Sequence, residues 1–527
     1  MLENMSLTHE HDHETGRRKL VDNDGVFVLV LEDGSRRKMS GLSIEEGVGL
    51  RCGSENGAGM SIHDMVGVHR SGNLLRFVGY SLEKGGCLCS GESLVRHEIQ
   101  VLACGKNTEA ENELVCTEWY VQTLSFLGRT EKSMEKPILV LINPKSGPGH
   151  STKIWMNTGN KVICQDAGHR VEVVTTERAN HALELISTTK DLCGKYKGIV
   201  IVSGDGLMYE TLQGIMQRKD WAHCVRWLPV GILPGGSGNG LAKSINEQAS
   251  LPHSPLSSSF VVAKNHVRAL DVAAVDIGTN DKVKRVYSFL SLAWAIASDI
   301  DIGSEYMRSL GESRFTIEAI KRFINLRKYN GRLSYLPCTE GQVGQLPRSG
   351  KDETVQTPPT YWELHGEQVD AEAAPAPILN LVPNPDEPVP ENWHVVEDTF
   401  WSMWNCNVEY MSGSASVAPH AKLDDGYWQL SYLRENGYHG MSKGKLLDYL
   451  LGLDSGKHQE KDFVEMTPTQ AYRFEPLPNP NGKTEGIIAL DGEVVEYTQL
   501  QMQILRGFLK VYAFDPNAVN SSVYLTI

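Results

Sequence analysis

The sequence predicts an α/β fold, with one domain built on a parallel sheet, a mainly antiparallel β domain after it and an extra β-rich segment in front. Three observations predict this order. Short apolar runs alternate with helical stretches from Lys136 to roughly Asp271, which is typical of βαβ units. The regions before and after lack this alternation and consist of short β-prone runs between turns. The 527 residues, 41% of them hydrophobic, are enough for more than one core.

The part of the chain before the alternating region is predicted to be mainly β structure. Residues 1–20 are polar, lack the apolar segment of a signal peptide and are expected to form a disordered tail. Residues 21–130 are predicted to form a β-rich N-terminal extension. Its predicted strands are Val26–Leu31, Leu74–Tyr80, Glu98–Leu102 and Trp119–Leu124. Two roles stay open for the extension: an adaptor for a membrane or partner, or a structural addition packed on the core.

The alternating region is predicted to be one domain spanning residues 133–275. Its strands are Ile138–Ile142, Val171–Thr175, Gly198–Val202 and Val230–Leu233. Each run is short and apolar, and a helical stretch follows it. Strands buried on both faces have this composition, so we expect the four to lie parallel, with helices covering the sheet.

Residues 276–515 are predicted to form the antiparallel β domain. Its predicted strands are Val286–Leu290, Arg332–Leu336, Trp404–Tyr410, Tyr427–Tyr432, Ala471–Glu475 and Ile487–Leu490. Residues 339–398 are rich in Pro and acidic side chains, and we expect them to be a flexible insertion. Residues 516–527 are expected to be a tail.

Charge and cysteine content exclude some classes of function. The formal net charge of −14 argues against nucleic acid as a partner, because duplex binding requires a basic face. The ten cysteines form no paired CxxC motifs and are expected to be the reduced thiols of a cytoplasmic protein. No apolar run approaches the length that spans a bilayer.

Three glycine-rich turns follow three of the predicted parallel strands. The first contains Asn143, Pro144 and Lys145 and continues from Ser146 to Gly149. Glycines let the backbone approach a ligand, and the next helix offers free N–H groups to an anion. Alone this turn predicts little, since Asn-Pro before Gly is common in ordinary turns and the ending of a Walker A loop is missing.

The second turn carries the strongest candidate for catalysis. Its sequence is Ser203-Gly204-Asp205-Gly206, between an apolar strand and a predicted helix, Leu207–Met216. Asp205 therefore lies at the carboxyl end of a parallel strand, which is where ligands bind in open α/β sheets. A carboxylate there can accept a proton from a hydroxyl or hold Mg²⁺ indirectly. The alternative is a helix N-cap, which would not require two flanking glycines.

Two further features extend this predicted site. Glu210 lies one helical turn after Asp205 and is expected to face the same ligand. The third turn, Pro234 to Gly240, contains Gly236, Ser237 and Gly238 and precedes a helix that starts near Leu241. We expect its glycines to leave the helix N-terminus bare for a phosphate or ribose. A disordered glycine linker is the alternative.

Three such turns with an Asp in the middle one resemble the lipid kinase superfamily that includes diacylglycerol, ceramide and sphingosine kinases. The resemblance implies a Rossmann-like nucleotide domain, a lipid-binding β-sandwich domain, and ATP with Mg²⁺ as cofactors. The stretch from Ser291 to Asp301 is apolar until its last residues, and Arg308, Arg314 and Phe315 follow. These residues resemble sphingosine kinases specifically.

The resemblance also implies roles for individual residues. Asp301 matches an acid that recognises the amine of a sphingoid base, whereas Asp299 and Asp301 alternatively only cap a strand end. Arg308 and Arg314 match arginines at the ATP phosphates, with surface ion pairs as the alternative. The residues implied at the lipid are Ser203, Gly204, Asp205, Gly206, Ser291, Asp301 and Phe315. The residues implied at the nucleotide are Asn143, Pro144, Lys145, Thr176, Glu177, Arg178, Ala179, Asn180, Glu210, Gly236, Ser237, Gly238, Arg308, Arg314, Asp491, Gly492 and Glu493.

The resulting hypothesis is ATP-dependent phosphorylation of the primary hydroxyl of sphingosine and related bases, giving sphingosine 1-phosphate and ADP, with Asp205 as the general base. The alternatives are a ceramide or diacylglycerol kinase, and an inert lipid-binding adaptor.

Residues 315–332 are basic and amphipathic, which by resemblance implies a calmodulin-type partner or a membrane surface; a core-facing helix is the alternative. We expect a cytoplasmic protein with peripheral membrane association, and a homodimer is a further expectation. Direct metal ligands cannot be assigned from the sequence.

Overall fold

The computed structural model describes residues 8–11, 18–22, 26–30, 35–39, 42–45, 48–52, 59–84, 92–279, 282–337, 357–367, 369, 375–437, 439–479 and 482–514. The predicted tail at residues 516–527 and residues 339–356 of the predicted insertion lie outside these ranges.

The described part of the chain before residue 104 contains two antiparallel sheets. Its strands are β1 (Thr8–His11), β2 (Arg18–Asp22), β3 (Phe27–Val30), β4 (Arg36–Lys38), β5 (Leu42–Glu45), β6 (Gly49–Cys52), β7 (Gly59–Ser61), β8 (Met65–Ser71), β9 (Leu74–Lys84) and β10 (Glu92–Ala103). The sheet orders are β1-β2-β5-β6-β7 and β4-β3-β10-β9-β8. Part of the predicted disordered tail is therefore paired, because Thr8 to His11 align with Val21 to Arg18 and satisfy each other's backbone groups.

A helix follows these strands where the sequence predicted another strand. Helix α1 (Glu109–Phe126) begins with a capping box: Thr108 Oγ1 accepts the Glu111 N–H at 3.2 Å, and the Glu111 carboxylate accepts the Thr108 N–H at 3.0 Å. Trp119 is fully buried on its inner face. The strand predicted at Trp119–Leu124 is therefore wrong, because the cap and the burial outweigh the β propensity of these residues.

The predicted parallel strands are confirmed. They are β11 (Ile138–Ile142), β12 (Val171–Thr175), β13 (Gly198–Ser203) and β14 (Val230–Pro234), paired in parallel in the order β12-β11-β13-β14. Every residue of β11, β13 and β14 is buried, which explains their apolar sequences. The helices of this region are α2 (Glu131–Glu135), α3 (Ser151–Ile154), a π-helix (Trp155–Asp166), α4 (His181–Thr188), α5 (Leu192–Lys195), α6 (Asp205–Met216), α7 (Trp221–Trp227), α8 (Gly240–Gln248) and α9 (Pro255–Lys264).

Antiparallel strands extend the same sheet. They are β15 (Val267–Ile277), β16 (Lys284–Ser288), β17 (Ser291–Ala295), β18 (Tyr329–Pro337), β19 (His394–Cys406), β20 (Trp428–Arg434), β21 (Glu465–Pro476), β22 (Ile488–Leu490), β23 (Glu493–Val495) and β24 (Leu500–Tyr512). β24 pairs in parallel with β14 at Val511 and Val230, and antiparallel with β15 and β21. In the described residues β11 to β24 thus form one mixed sheet of 14 strands. The α/β class is confirmed, whereas the Rossmann-like and β-sandwich descriptions stay predictions.

Further helices follow β17 along the chain. They include α10 (Ile296–Gly303), a 3₁₀ helix (Glu305–Leu310), α11 (Ser313–Ile324), α12 (Tyr361–His365), α13 (Lys443–Gly452) and a second 3₁₀ helix (Lys457–Glu460). The amphipathic segment predicted at residues 315–332 is only partly helical, because α11 ends at Ile324 and β18 begins at Tyr329. No helix in the described ranges is long and apolar enough to cross a membrane.

Part of the insertion predicted to be flexible packs on the sheet. Its described residues, 357–367, 369 and 375–398, include α12 and the start of β19. Trp362 Nε1 donates to the Phe508 carbonyl at 3.0 Å. The side-chain oxygen of Gln503 accepts the N–H groups of Asn380 and Leu381 at 3.0 and 2.8 Å. The expectation of a free loop is corrected here, because β24 supplies partners for the backbone of the insertion.

The N-terminal extension packs directly on the parallel region. Asp166, at the end of the π-helix, accepts hydrogen bonds from Tyr80 Oη at 2.6 Å and from Arg96 at 2.8 and 2.9 Å. Lys264, at the end of α9, donates to the carbonyls of Ile62 and Met65 at 2.7 and 2.9 Å. The extension therefore contacts the parallel region through buried polar groups, and its role stays a prediction.

The three glycine turns pack on one another through their backbones. A Cβ on Gly236 would lie 2.5 Å from the Cα of Gly204, and one on Gly147 would lie 2.8 Å from the backbone of Gly236. Ser146 Oγ accepts the Gly204 N–H at 3.0 Å. Glycine is therefore required at these positions for the turns to touch, in addition to any approach of a ligand.

We predict that Gly236→Ala destabilises the protein, because the added methyl group meets the backbone of Gly204 and not a flexible side chain. Overpacking of this kind lowers the free energy of unfolding by roughly 1–3 kcal/mol. The matched control is Gly238→Ala, whose Cβ would have its nearest neighbour, Asp205 Oδ2, at 3.8 Å. The control should change stability by less than about 1 kcal/mol. Thermal and urea unfolding measure both variants, and equal losses would contradict the close packing of the turns.

We predict that protein stability rises with pH through the titration of Lys264. Burial lowers the pKa of Lys264 from 10.5 to about 7. Between these values the unfolded chain binds a proton that the folded chain does not, so the free energy of unfolding increases with pH across this window. Thermal midpoints measured from about pH 7 to pH 9 should rise more in the wild type than in Lys264→Met. Parallel curves for the two proteins would argue against a buried, deprotonating Lys264.

Candidate active site

A cavity of about 950 Å³ lies between the carboxyl ends of β11, β13 and β14 on one side and α10 and α11 on the other. The carboxyl edge of a parallel sheet is the usual ligand site in such folds. Of the predicted site residues, only Pro144 and Asn180 do not line the cavity. Those that line it are Asn143, Lys145, Thr176, Glu177, Arg178, Ala179, Ser203, Gly204, Asp205, Gly206, Glu210, Gly236, Ser237, Gly238, Ser291, Arg308, Arg314, Phe315, Asp301, Asp491, Gly492 and Glu493.

Asp205 is held rigidly at the centre of the glycine turns. The residue is 6% exposed, and its Oδ2 and Oδ1 accept the N–H groups of Gly240 and Leu241 at 2.8 and 3.4 Å. Burial raises the pKa of Asp205 to about 7; these two hydrogen bonds oppose the rise, and the charges of Asp491 and Asp301 add to it. Asp205 thus has the pKa of a general base that works near neutral pH.

The third turn does not leave its helix bare. The first N–H groups of α8 donate to the Asp205 carboxylate, so this helix N-terminus is capped from the second turn. The expectation of a free anion site at α8 is corrected in this respect. The positive end of the α8 dipole instead stabilises the charged form of Asp205.

Asp491 connects the turn between β22 and β23 to the loop before β17. Its carboxylate accepts the Ser288 hydroxyl at 2.6 Å and the N–H groups of Phe289, Leu290 and Ser291 at 2.9–3.0 Å. Burial raises its pKa to about 6 despite these bonds. Asp491 therefore fixes Ser291 and its own neighbours Gly492 and Glu493 at the cavity.

Glu493 brings a second carboxylate close to the middle turn. A Cβ on Gly206 would lie 3.2 Å from Glu493 Oε1, and burial together with the charge of Glu305 raises the pKa of Glu493.

The two predicted nucleotide residues Arg308 and Arg178 pair with Glu305 and Glu184 respectively. Glu210 accepts the Ala182 N–H at 3.2 Å at the start of α4.

Asp301 and Arg314, predicted to serve different substrates, lie together. Arg314 Nη2 is 3.5 Å from Asp301 Oδ1, and its Nη1 donates to the Asp301 carbonyl at 3.3 Å and to Ser304 Oγ at 2.8 Å. Burial raises the pKa of Asp301, while the Arg314 charge opposes the rise. This ion pair joins α10 to α11 at the middle of the cavity.

Besides these polar residues, the cavity has an apolar half. Most residues of the apolar half were not predicted from the sequence. They are Ile296, Ala297, Ile300, Ala319, Ile320, Phe323, Trp404, Met411, Ala415, Val417, Leu447, Leu450, Leu451 and Leu453. One available signal was the run Lys443–Gly452, which contains four leucines in ten residues. Leu451 remains 74% exposed. This half can hold an alkyl chain.

The cavity carries an excess of negative charge: nine acidic and four basic side chains line it. A polyphosphate would add to this charge, so its binding requires positive charge that arrives with the ligands. Among the described residues, no three His, Cys, Asp or Glu side chains lie close enough to hold a metal by themselves. Mg²⁺ in phosphotransfer sites usually uses one or two carboxylates together with phosphate oxygens. Glu493, whose carboxylate lies close to the Gly206 turn, fits that requirement.

Known proteins resemble this chain over most of its length. The family model of the diacylglycerol kinase catalytic domain matches residues 137–275. The chain is 30% identical over 464 residues to sphingosine kinase 1 of Arabidopsis thaliana, covering 84% of this chain and 87% of that protein. It is 32% identical over 375 residues to sphingosine kinase 1 of Homo sapiens, covering 70% and 88%.

One solved structure, a diacylglycerol kinase from Bacillus anthracis str. Sterne, aligns with a TM-score of 0.46 at 16% identity, over 72% of this chain and 97% of that one. The sequence relatives decide the family, because their identity extends over most of both chains. The chain belongs to the sphingosine kinase family.

Proposed function

We propose that this lipid kinase transfers the γ-phosphate of ATP to the primary hydroxyl of sphingosine and related sphingoid bases. The single observation that carries the proposal is that one cavity contains Asp205, Asp301 and a large set of apolar side chains. The first acid suits a general base at a hydroxyl, and the second suits a cationic amine beside that hydroxyl. Each feature alone would fit several kinases.

The nucleotide would lie across the three turns. Lys145, Arg178 and Arg308 line this part of the cavity and would contact phosphate oxygens. Mg²⁺, held by Glu493 together with the phosphates, would neutralise charge on the transferred group and leave Asp205 available as the base. The packed turns supply a fixed backbone, so that positioning and charge stabilisation account for most of the catalysis.

Asp205 would act on the acceptor hydroxyl. As the hydroxyl oxygen bonds to the γ-phosphorus, its proton passes to a carboxylate oxygen of Asp205 and the bond to the β-phosphate oxygen breaks, releasing ADP. The raised pKa of about 7 lets Asp205 be deprotonated in part at neutral pH and still hold the proton afterwards. The hydrogen bonds that Gly240 and Leu241 donate hold the Asp205 carboxylate in one orientation.

The acceptor would be selected by charge and by shape. A sphingoid base carries a cationic amine beside its primary hydroxyl, and Asp301 lines the same cavity as Asp205, on the helix that also contributes Ile296 and Ile300. Diacylglycerol and ceramide lack this charge and would leave the half-buried Asp301 without a new partner. The acidic excess of the cavity favours a cationic acceptor for the same reason.

We also propose that the face around α11 and α13 rests on a membrane when the lipid enters. Exposed apolar side chains gather there beside the apolar half of the cavity: Ile320, Ile324 and Leu451 are 60, 65 and 74% exposed. Large exposed apolar side chains around a lipid cavity suit contact with a bilayer surface. The calmodulin-type partner and the homodimer stay predictions.

We predict that Asp205→Asn lowers the rate of phosphate transfer from labelled ATP to sphingosine by roughly 10²–10⁴-fold, because the amide cannot accept the proton. The amide oxygen still accepts an N–H from α8, so the thermal midpoint and ATP affinity should change little. Glu210→Gln, on the next turn of α6, should reduce the rate far less. In the wild type kcat/KM should rise with pH through about 7 as Asp205 loses its proton. Undiminished transfer by Asp205→Asn would refute its role as base.

We predict that Asp301→Asn lowers kcat/KM for sphingosine by roughly 10- to 100-fold, the usual value of one hydrogen bond to a charged group. Transfer to N-acetylsphingosine, which keeps the hydroxyl and lacks the cationic amine, should change much less. Asp299→Asn is the matched control, because Asp299 lies on the same helix but accepts from Tyr329 at 3.0 and 3.2 Å outside the cavity lining. Equal losses on both acceptors would remove amine recognition from the proposal. If the wild type instead prefers ceramide or diacylglycerol, phosphorylation of that lipid would replace the proposed activity.

A further inference from the structure

The guanidinium of Arg314 is held in a buried position by few and partly weak contacts. Its side chain is 6% exposed, and its strongest hydrogen bond goes to Ser304 Oγ at 2.8 Å. The contact with the Asp301 carboxylate, at 3.5 Å, lies at the limit of a hydrogen bond. The guanidinium also lies over the Phe315 ring, 4.1 Å from its centroid, and Arg314 Nε has no hydrogen-bond partner among the described residues.

Asp301 keeps one oxygen available to a ligand. Its Oδ1 faces Arg314, whereas no hydrogen bond to Oδ2 occurs in the described part of the chain. Oδ2 points toward the turn of the C-terminal hairpin, where a Cβ on Gly492 would lie 3.8 Å away. The Asp301 side chain is 23% exposed and lines the cavity together with Arg314 and Gly492. A cation entering from the cavity would reach Asp301 without moving the backbone.

We infer that the amine of the acceptor replaces the Arg314 guanidinium at Asp301 and that the released Arg314 then serves the phosphates of the nucleotide. This inference rests on the proposed function and deepens it, since it links the two halves of the cavity. Arg314 turns about its own side chain while α11 stays in place. Binding of the cationic acceptor would therefore increase the affinity for the nucleotide, and the nucleotide would increase the affinity for the acceptor to the same extent.

The charges around the pair favour such an exchange. A buried Arg without its carboxylate would be unfavourable unless a second anion took the place of Asp301, and a phosphate supplies one. Equally, Asp301 would be left without a cation when Arg314 moves, unless an amine arrives. Each substrate thus offsets the charge that the other exposes. An acceptor without an amine leaves Arg314 on Asp301 and the nucleotide without this arginine.

The experiment measures the affinity of the full chain for the magnesium complex of a non-hydrolysable imido analogue of ATP, alone, with sphingosine and with N-acetylsphingosine. For the wild type we expect sphingosine to increase the affinity by about tenfold, within the usual range for coupled sites, and N-acetylsphingosine to change it by less than twofold. Equal effects of the two lipids would overturn the inference.

A double-mutant cycle separates release of Arg314 from simple charge attraction. Asp301→Asn should raise the affinity for the analogue without any lipid, because it frees Arg314 in advance. Removing an acid also weakens repulsion of the phosphates, so the same substitution is made in an Arg314→Gln background, where only that general effect remains. An equal rise in both backgrounds would overturn the inference, as would a sphingosine effect of unchanged size in Arg314→Gln.

Asp299→Asn again serves as the control on the same helix, and it should keep the full effect of sphingosine on the analogue. Phosphate transfer to sphingosine, measured in parallel on the wild type, distinguishes the two levels of failure. Transfer without coupling contradicts the exchange alone. Absence of transfer to sphingosine contradicts the proposed function itself.

Discussion

The hydrogen bonds from the first N–H groups of α8 to the Asp205 carboxylate are the interaction on which the rest of the site depends. They join the second glycine turn to the third, and Gly204 and Gly236 can touch only because neither carries a side chain. The same bonds restrain the pKa of Asp205, which burial would otherwise raise further. Position and basicity of the candidate base therefore have one structural origin.

Charge imbalance connects this centre to the choice of substrates. Acidic side chains outnumber basic ones around the cavity, so a polyphosphate alone is poorly accommodated. A magnesium ion and a cationic amine would each reduce the imbalance, and Asp301 with Arg314 lies where the two substrates would meet. The apolar half, to which α10, α11 and α13 contribute, provides the space for a chain and little discrimination of charge.

Sequence reasoning succeeded where local pattern and burial agree. The uniformly apolar β11 and β13 could be recognised, and the glycines around Asp205 marked a turn at a strand end. It failed at Trp119–Leu124, where the Thr108 capping box was the stronger signal and went unused. The pairing of Asp301 with Arg314 depends on how α10 packs against α11, which no spacing in the sequence reveals. The same holds for the apolar lining from α13, since leucines look alike in a core and in a lipid pocket.

The central claim is that one cavity places the acceptor hydroxyl at Asp205 while the acceptor amine is at Asp301. The most direct measurement is the structure of the full chain with the magnesium complex of the imido ATP analogue and sphingosine. The account predicts the primary hydroxyl oxygen about 2.6–3.2 Å from a carboxylate oxygen of Asp205, with the amine within hydrogen-bond distance of Asp301. A bound sphingosine whose hydroxyl lies away from Asp205, or whose amine contacts another group, would contradict it.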